Sequence, residues 1–150
     1  MEPSPSFVTN ATKVGKGSTK ECGSISRIYG FYDECKKYYN LKLWRSFLTV
    51  FDTMPLCALI QSRVFCVPSG LSMDLDRLEQ LNQIRRPTDV PDHGLLCDLL
   101  WADPDPSRRG FSDDIREGNV FGPDVVHRFM QQSKLDLICR AGLSDGGFEW

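Results

Sequence analysis

Only three stretches of this 150-residue chain read as strands, and that scarcity limits what it can build. Two are short apolar runs, Leu56–Ile60 and Arg63–Val67, split by Gln61-Ser62 in the pattern of a hairpin of buried strands. The third, Leu135–Ala141, lies near the other end of the chain. A sheet of so few strands is not stable bare, so helices must cover it. The helical signals are present. Ile25, Ile28, Tyr29 and Tyr32 recur at helical spacing, as do Trp44, Phe47, Leu48 and Phe51 beyond Asn40. They predict helices over Ser24–Tyr39 and Leu41–Asp52, with Pro55 closing the second because it lacks a backbone donor. Leu75, Leu78, Leu81 and Ile84 predict another over Ser72–Ile84, capped by Ser72 or Asp74. The Pro-rich stretch Arg86–Gly110 reads as loop with one helical turn at Leu95–Trp101. A last helix over Pro123–Ser133 places Val126, Phe129 and Met130 on one face. The expected class is α/β, with mixed α and β elements. Residues 1–20, rich in Ser, Thr, Pro, Gly and Lys, read as a flexible leader to one domain over 21–150.

Composition matters here for what it excludes. A net charge of -2 and a pI near 5.7 give no electrostatic case for nucleic acid or an anionic membrane. Apolar runs reach about seven residues, where a membrane span needs about twenty. The first residues also lack the apolar core of a signal peptide. The expected compartment is therefore cytoplasm or nucleus. The six cysteines include no C-x-x-C pair, so buried, free and inert thiols are expected rather than a zinc site or a disulfide framework. His93 and His127 have no Glu or second His one helical turn away and read as solvated. Cys57 and Arg63 share the C-x5-R spacing of a cysteine-phosphatase loop. The intervening ALIQS offers no glycine to turn backbone amides toward a phosphate, so that chemistry is not expected.

Two longer blocks are more specific. SRIYGFYDECKKYYN, Ser26 to Asn40, precedes RRPTDVPDHGLLCDLLWADPD, Arg85 to Asp105, and LDLICRA follows. Together with the tryptophan-bearing second helix, they resemble the metal-dependent serine/threonine phosphoprotein phosphatases, and RPTDVPD resembles the type-1 branch. The resemblance runs from about Glu21 to Trp150. It implies a truncated catalytic domain: part of a metallophosphoesterase-type sandwich with flanking helices, the N-terminal half of the sheet system missing. In that family two divalent metals such as Mn, Fe or Zn activate a bridging water for attack on phosphoserine or phosphothreonine.

Three of the family's ligand segments can be traced here, and each departs from the pattern. Gly-Asn-His-Glu becomes Ser18-Thr19-Lys20-Glu21. Thr19 then replaces a ligand asparagine, and Lys20 replaces the histidine that protonates the leaving oxygen. Lysine stays charged near neutral pH and is a poor acid there. Cys-His-Gly-Gly-Leu-Ser becomes Val67-Pro68-Ser69-Gly70-Leu71-Ser72, with Pro68 in a ligand histidine's place. Cys-Arg-Ala-His becomes Cys139-Arg140-Ala141-Gly142, and Gly142 has no side chain to ligate with. The resemblance therefore implies no catalytic residue and no bound metal.

Other matches lie around the rim. Arg116 falls at the family's second phosphate-clamping arginine, against the plainer reading of a surface arginine beside Asp113 and Asp114. Trp101 and Asp103 match residues near the active-site mouth, while turn formation around Pro104 is the plainer reading of Asp103 and Asp105. Val64, Asp136, Leu137 and Trp150 match a groove that in type-1 enzymes accepts a Val-x-Phe peptide. For Val64 and Leu137 the competing reading is ordinary core packing. The function implied is a catalytically inactive relative that binds regulatory proteins of type-1 phosphatase. The alternatives are an active phosphatase with rearranged or partner-supplied metal ligands, and a non-functional relic. Open sheet edges predict marginal stability.

Overall fold

The computed structural model describes residues 22–114 and 118–141. The leader expected over 1–20 lies outside them. Among the described residues, no helix is long and apolar enough to cross a membrane.

The chain opens with a helical layer of α1 (Gly23–Ile28), α2 (Phe31–Tyr38) and α3 (Leu41–Phe51). The single helix expected over 24–39 is thus two, because Gly30 sits at φ 91°, a left-handed conformation that glycine adopts without penalty and that ends a helix. The Asn40 side chain accepts from the Leu43 amide at 2.9 Å and caps α3. The layer has its own small interior. Buried Trp44 donates Nε1 to the fully buried Ser26 hydroxyl at 3.1 Å, and Phe31 meets Phe47 edge to face at 5.4 Å. Arg86 fastens the layer to the rest by donating to the Phe51 and Met54 carbonyls at 3.0 and 2.6 Å.

Two three-stranded sheets follow, not one. In the first, β1 (Ala58–Ile60) pairs antiparallel with β2 (Val64–Val67), and β2 pairs parallel with β6 (Leu137–Arg140). Gln61 and Ser62 turn the β1–β2 hairpin, both at positive φ, and the Arg63 amide donates to the Ile60 carbonyl at 3.0 Å. The second sheet, in the order β3 (Asp103–Pro104), β5 (Gly118–Phe121), β4 (Phe111–Asp114), falls in sequence expected to be loop or left unassigned. FSDD and GNVF hold poor strand formers, and only pairing with β5 makes strands of β3 and β4.

The helix expected over 72–84 is not α-helical. A 3₁₀ helix covers Leu78–Gln83 alone, preceded by irregular backbone. Apolar residues at strict intervals of three fit a helix of three residues per turn better than one of 3.6. Ser72 is no cap either, since its hydroxyl donates to Asp98 at 2.5 Å and accepts from the Asp74 amide. By contrast α4 (Leu95–Trp101) and α5 (Pro123–Ser133) occupy the expected segments. Pro123 starts α5 where its missing N–H is not needed. Val125 and Phe129 are its buried residues, with Val126 and Met130 half-buried beside them.

The core is shared by both sheets. Phe65 and Val67 of β2, Phe121 of β5, Leu99 of α4 and Phe129 of α5 form one buried cluster. Gly70 shows how close the sheets lie: a Cβ there would overlap the Ala102 carbonyl and the Phe121 ring. The result is part of a two-sheet α/β sandwich with helices outside it.

Candidate functional site

Because β2 and β6 run parallel and in register, their ends gather different residues. At the C-terminal end, β2 continues into Pro68 and β6 into Ala141, whose amide N–H donates to the Pro68 carbonyl at 3.2 Å. The Ser69 amide donates to the Leu99 carbonyl at 3.0 Å, which brings the end of α4 to the same place. Asp103 of β3 accepts from the Arg140 guanidinium. The buried Nε of Arg140 has no hydrogen-bond partner among the described residues. Trp101, the last residue of α4, stands nearby with 41% of its surface exposed.

This cluster is therefore an arginine–aspartate ion pair beside a proline. Arginine has no lone pair to offer a cation, and Pro68 has no side-chain donor. The Asp103 carboxylate, a hard oxygen donor, is engaged by Arg140. Among the described residues, no three His, Cys, Asp or Glu side chains come together in a way that could hold a metal ion. The described side chains at this end of the sheet thus do not fit a pair of divalent metals. Thr19, Lys20, Gly142 and the phosphate-clamp candidate Arg116 lie outside the described residues.

The turn reading of the Pro104 segment holds for one aspartate only. The Asp105 carboxylate accepts from the Ser107 amide and hydroxyl at 2.8 and 2.6 Å, and these bonds, with Arg108, hold its pKa below the usual range. Asp103 instead belongs to a strand and pairs across to Arg140. In the sequence Arg140 stands only inside the LDLICRA match and the counterpart of Cys-Arg-Ala-His, with no role of its own. A basic residue ending an apolar strand was the available signal, because such a charge must find a partner near the sheet.

At the opposite end of the strand pair, Val64 and Leu137 are register partners, both half-buried. Asp136 precedes Leu137 and makes a bidentate ion pair with Arg63, which holds the carboxyl below its ordinary pKa. The structure thus brings together three of the four groove candidates. Trp150 lies outside the described residues. Val64 and Leu137 project from the face of the sheet opposite the core cluster, which the alternation along β2 with buried Phe65 and Val67 requires. Plain core packing does not describe them.

The remaining candidates resolve simply. His93 and His127 are exposed. Burial, and secondarily Cys66, pushes the Cys57 thiol up to about 11, so it is protonated at neutral pH and no nucleophile. Its C-x5-R partner Arg63 is engaged by Asp136. All six cysteines are free; Cys22 and Cys35 are buried, but Cys139 is exposed, so the expectation of uniformly buried thiols fails there.

A family model described as calcineurin-like phosphoesterase matches residues 21–142. Among solved structures, a protein serine/threonine phosphatase from Saccharomyces cerevisiae with similarity to human phosphatase PP5 superposes with a TM-score of 0.75. The two share 35% sequence identity over 81% of this chain and 38% of that one. The present chain thus spans well under half the length of that relative.

Proposed function

The chain belongs to the calcineurin-like phosphoesterase family, and from that membership we propose a protein that keeps part of the family's fold without its hydrolytic chemistry, a pseudophosphatase. One observation carries the reading. Pro68 stands at the end of β2, where the resemblance puts a ligand histidine, and the neighbouring charges, Arg140 and Asp103, neutralise one another. A metal-activated water needs side-chain donors of the right number and geometry, and among the described residues this end of the sheet places no group of three that could hold a metal. Pro68 removes that one ligand position whatever sequence flanks the match.

The role that remains is interaction. Val64, Leu137 and Asp136 lie together at the other end of the strand pair, next to Ile60, which is 43% exposed at the edge of the sheet. An exposed apolar strand end suits an extended peptide of the Val-x-Phe kind, such as the regulators of type-1 phosphatases present.

Two measurements test the proposal. The purified chain should show no turnover of p-nitrophenyl phosphate or a phosphothreonine peptide above the protein-free rate, with or without Mn²⁺. Hydrolysis that rises with Mn²⁺ and disappears with chelator would instead mean an active enzyme with ligands drawn from elsewhere. An immobilised Val-x-Phe peptide should retain the wild-type chain but not Val64→Asp. Equal retention of both would remove the binding role.

A further inference from the structure

The parallel register of β2 and β6 also makes Cys66 and Cys139 partners on adjacent strands. Residues opposite one another on neighbouring strands project from the same face. Phe65, Val67 and Ile138 belong to or pack on the core, so alternation turns Cys66 and Cys139 to the other face. Both thiols are free, with Cys66 half-buried and Cys139 exposed, so the pair is open to solvent from one side. Burial first and Cys139 second push the Cys66 thiol up.

Their spacing discriminates between two fates. Adjacent strands lie about 4.7–4.9 Å apart, and register-paired Cβ atoms stand at about that separation. A disulfide brings Cβ atoms to about 3.5–4.5 Å, so a direct sulfur–sulfur bond would draw the strands together. A single ion between two thiolates makes no such demand. Two metal–thiolate bonds, taken at the zinc–sulfur length of about 2.3 Å, span about 4.6 Å end to end, close to the strand spacing.

We propose that Cys66 and Cys139 form a two-thiolate clamp for one soft, thiophilic monovalent cation of the copper(I) class. Thiolate ligands favour such ions, and a closed-shell monovalent ion is content with two donors in line. Zinc would need four ligands, and among the described residues no group of three or more His, Cys, Asp or Glu side chains is placed to hold a metal. Cys57 does not join, because it packs against the core. Cys97 is occupied elsewhere, donating to the Asp92 carbonyl at 3.4 Å. In the binding step two S–H bonds break, two copper–sulfur bonds form, and two protons pass to solvent. Nothing is oxidised or reduced.

The test uses the full chain, reduced and anaerobic, titrated with copper(I) against the chromogenic chelator bicinchoninate. One ion should bind, and Cys66→Ser and Cys139→Ser should each weaken binding at least tenfold, since even groups behind the ligands cost about that much. Cys57→Ser and Cys97→Ser should bind as wild type does. Circular dichroism checks the fold of each variant. Should either serine variant fail to fold, maleimide footprinting of the wild type with mass spectrometry decides instead. Copper(I) should protect Cys66 and Cys139 together and leave Cys97 labelling unchanged. Undiminished binding in either folded serine variant, or protection centred on other cysteines, overturns the clamp.

Discussion

Asp98 shows how much one side chain can hold in a small fold. It is buried in α4, accepts from the Ser72 hydroxyl at 2.5 Å and from the Asn119 side-chain amide, and so ties the loop after β2, α4 and β5 together. Asp98→Ala strands both donors, and unsatisfied buried donors cost about 1–3 kcal/mol each before any relaxation. We expect a loss of about 2–3 kcal/mol, read as a drop of roughly 4–10 °C in Tm. A change under 1 °C would mean the triad carries no weight. Arg63 and Asp136 make a different, exposed pair. The folded Asp136 pKa lies below its unfolded value of about 3.9, so the pair's contribution is complete above that pH. It fades as pH falls through the lower folded value. Urea midpoints of wild type and Asp136→Asn should therefore differ at about pH 6 and converge at about pH 2. The difference will be small, because both partners face water.

Among the elements, α5 was the most legible, and its end shows why. Its first residue is proline and its apolar residues keep helical spacing, two local signals that agree. Its termination was not legible. Lys134 adopts φ 54°, the Leu135 amide reaches back to the Met130 carbonyl at 2.9 Å, and the Lys134 amide to that of Gln131. This left-handed ending suits glycine. Lys134→Gly should stabilise by up to about 1 kcal/mol, since relief of the left-handed strain outweighs the entropy that glycine adds to the unfolded chain. A lowered urea midpoint would contradict it. The 72–84 segment failed for a physical reason: leucines every third residue satisfy two helical periods over so short a span, and only the packing of Leu78, Leu81 and Ile84 against the core selects the tighter one. Likewise β4 carries FSDD, which no propensity would make a strand; its partner β5 does.

Across the whole molecule, apolar surface is left open. Ile28, Val50 and Met73 are each more than half exposed, and among the described residues β1 is an edge of its sheet. We expect the isolated chain to unfold below the 45–65 °C of ordinary domains and to associate as its concentration rises. Cooperative unfolding of a monomer within that range, by calorimetry and size-exclusion chromatography, would refute this. The sequence by itself determined the family, through contiguous blocks such as RIYGFYDECK and RPTDVPD, and the incapacity of Pro68, because a residue without a donor atom lacks one in any fold. It also determined α3, α4, α5 and the three strands of the first sheet, whose periodic patterns are local. Only the tertiary structure decided that Arg140 meets Asp103, that Asp98 joins three segments, that a second sheet exists, and that Cys66 faces Cys139. Each of these is a pairing between residues far apart in the chain, set by strand register and core packing, and neither is written in any local run of residues.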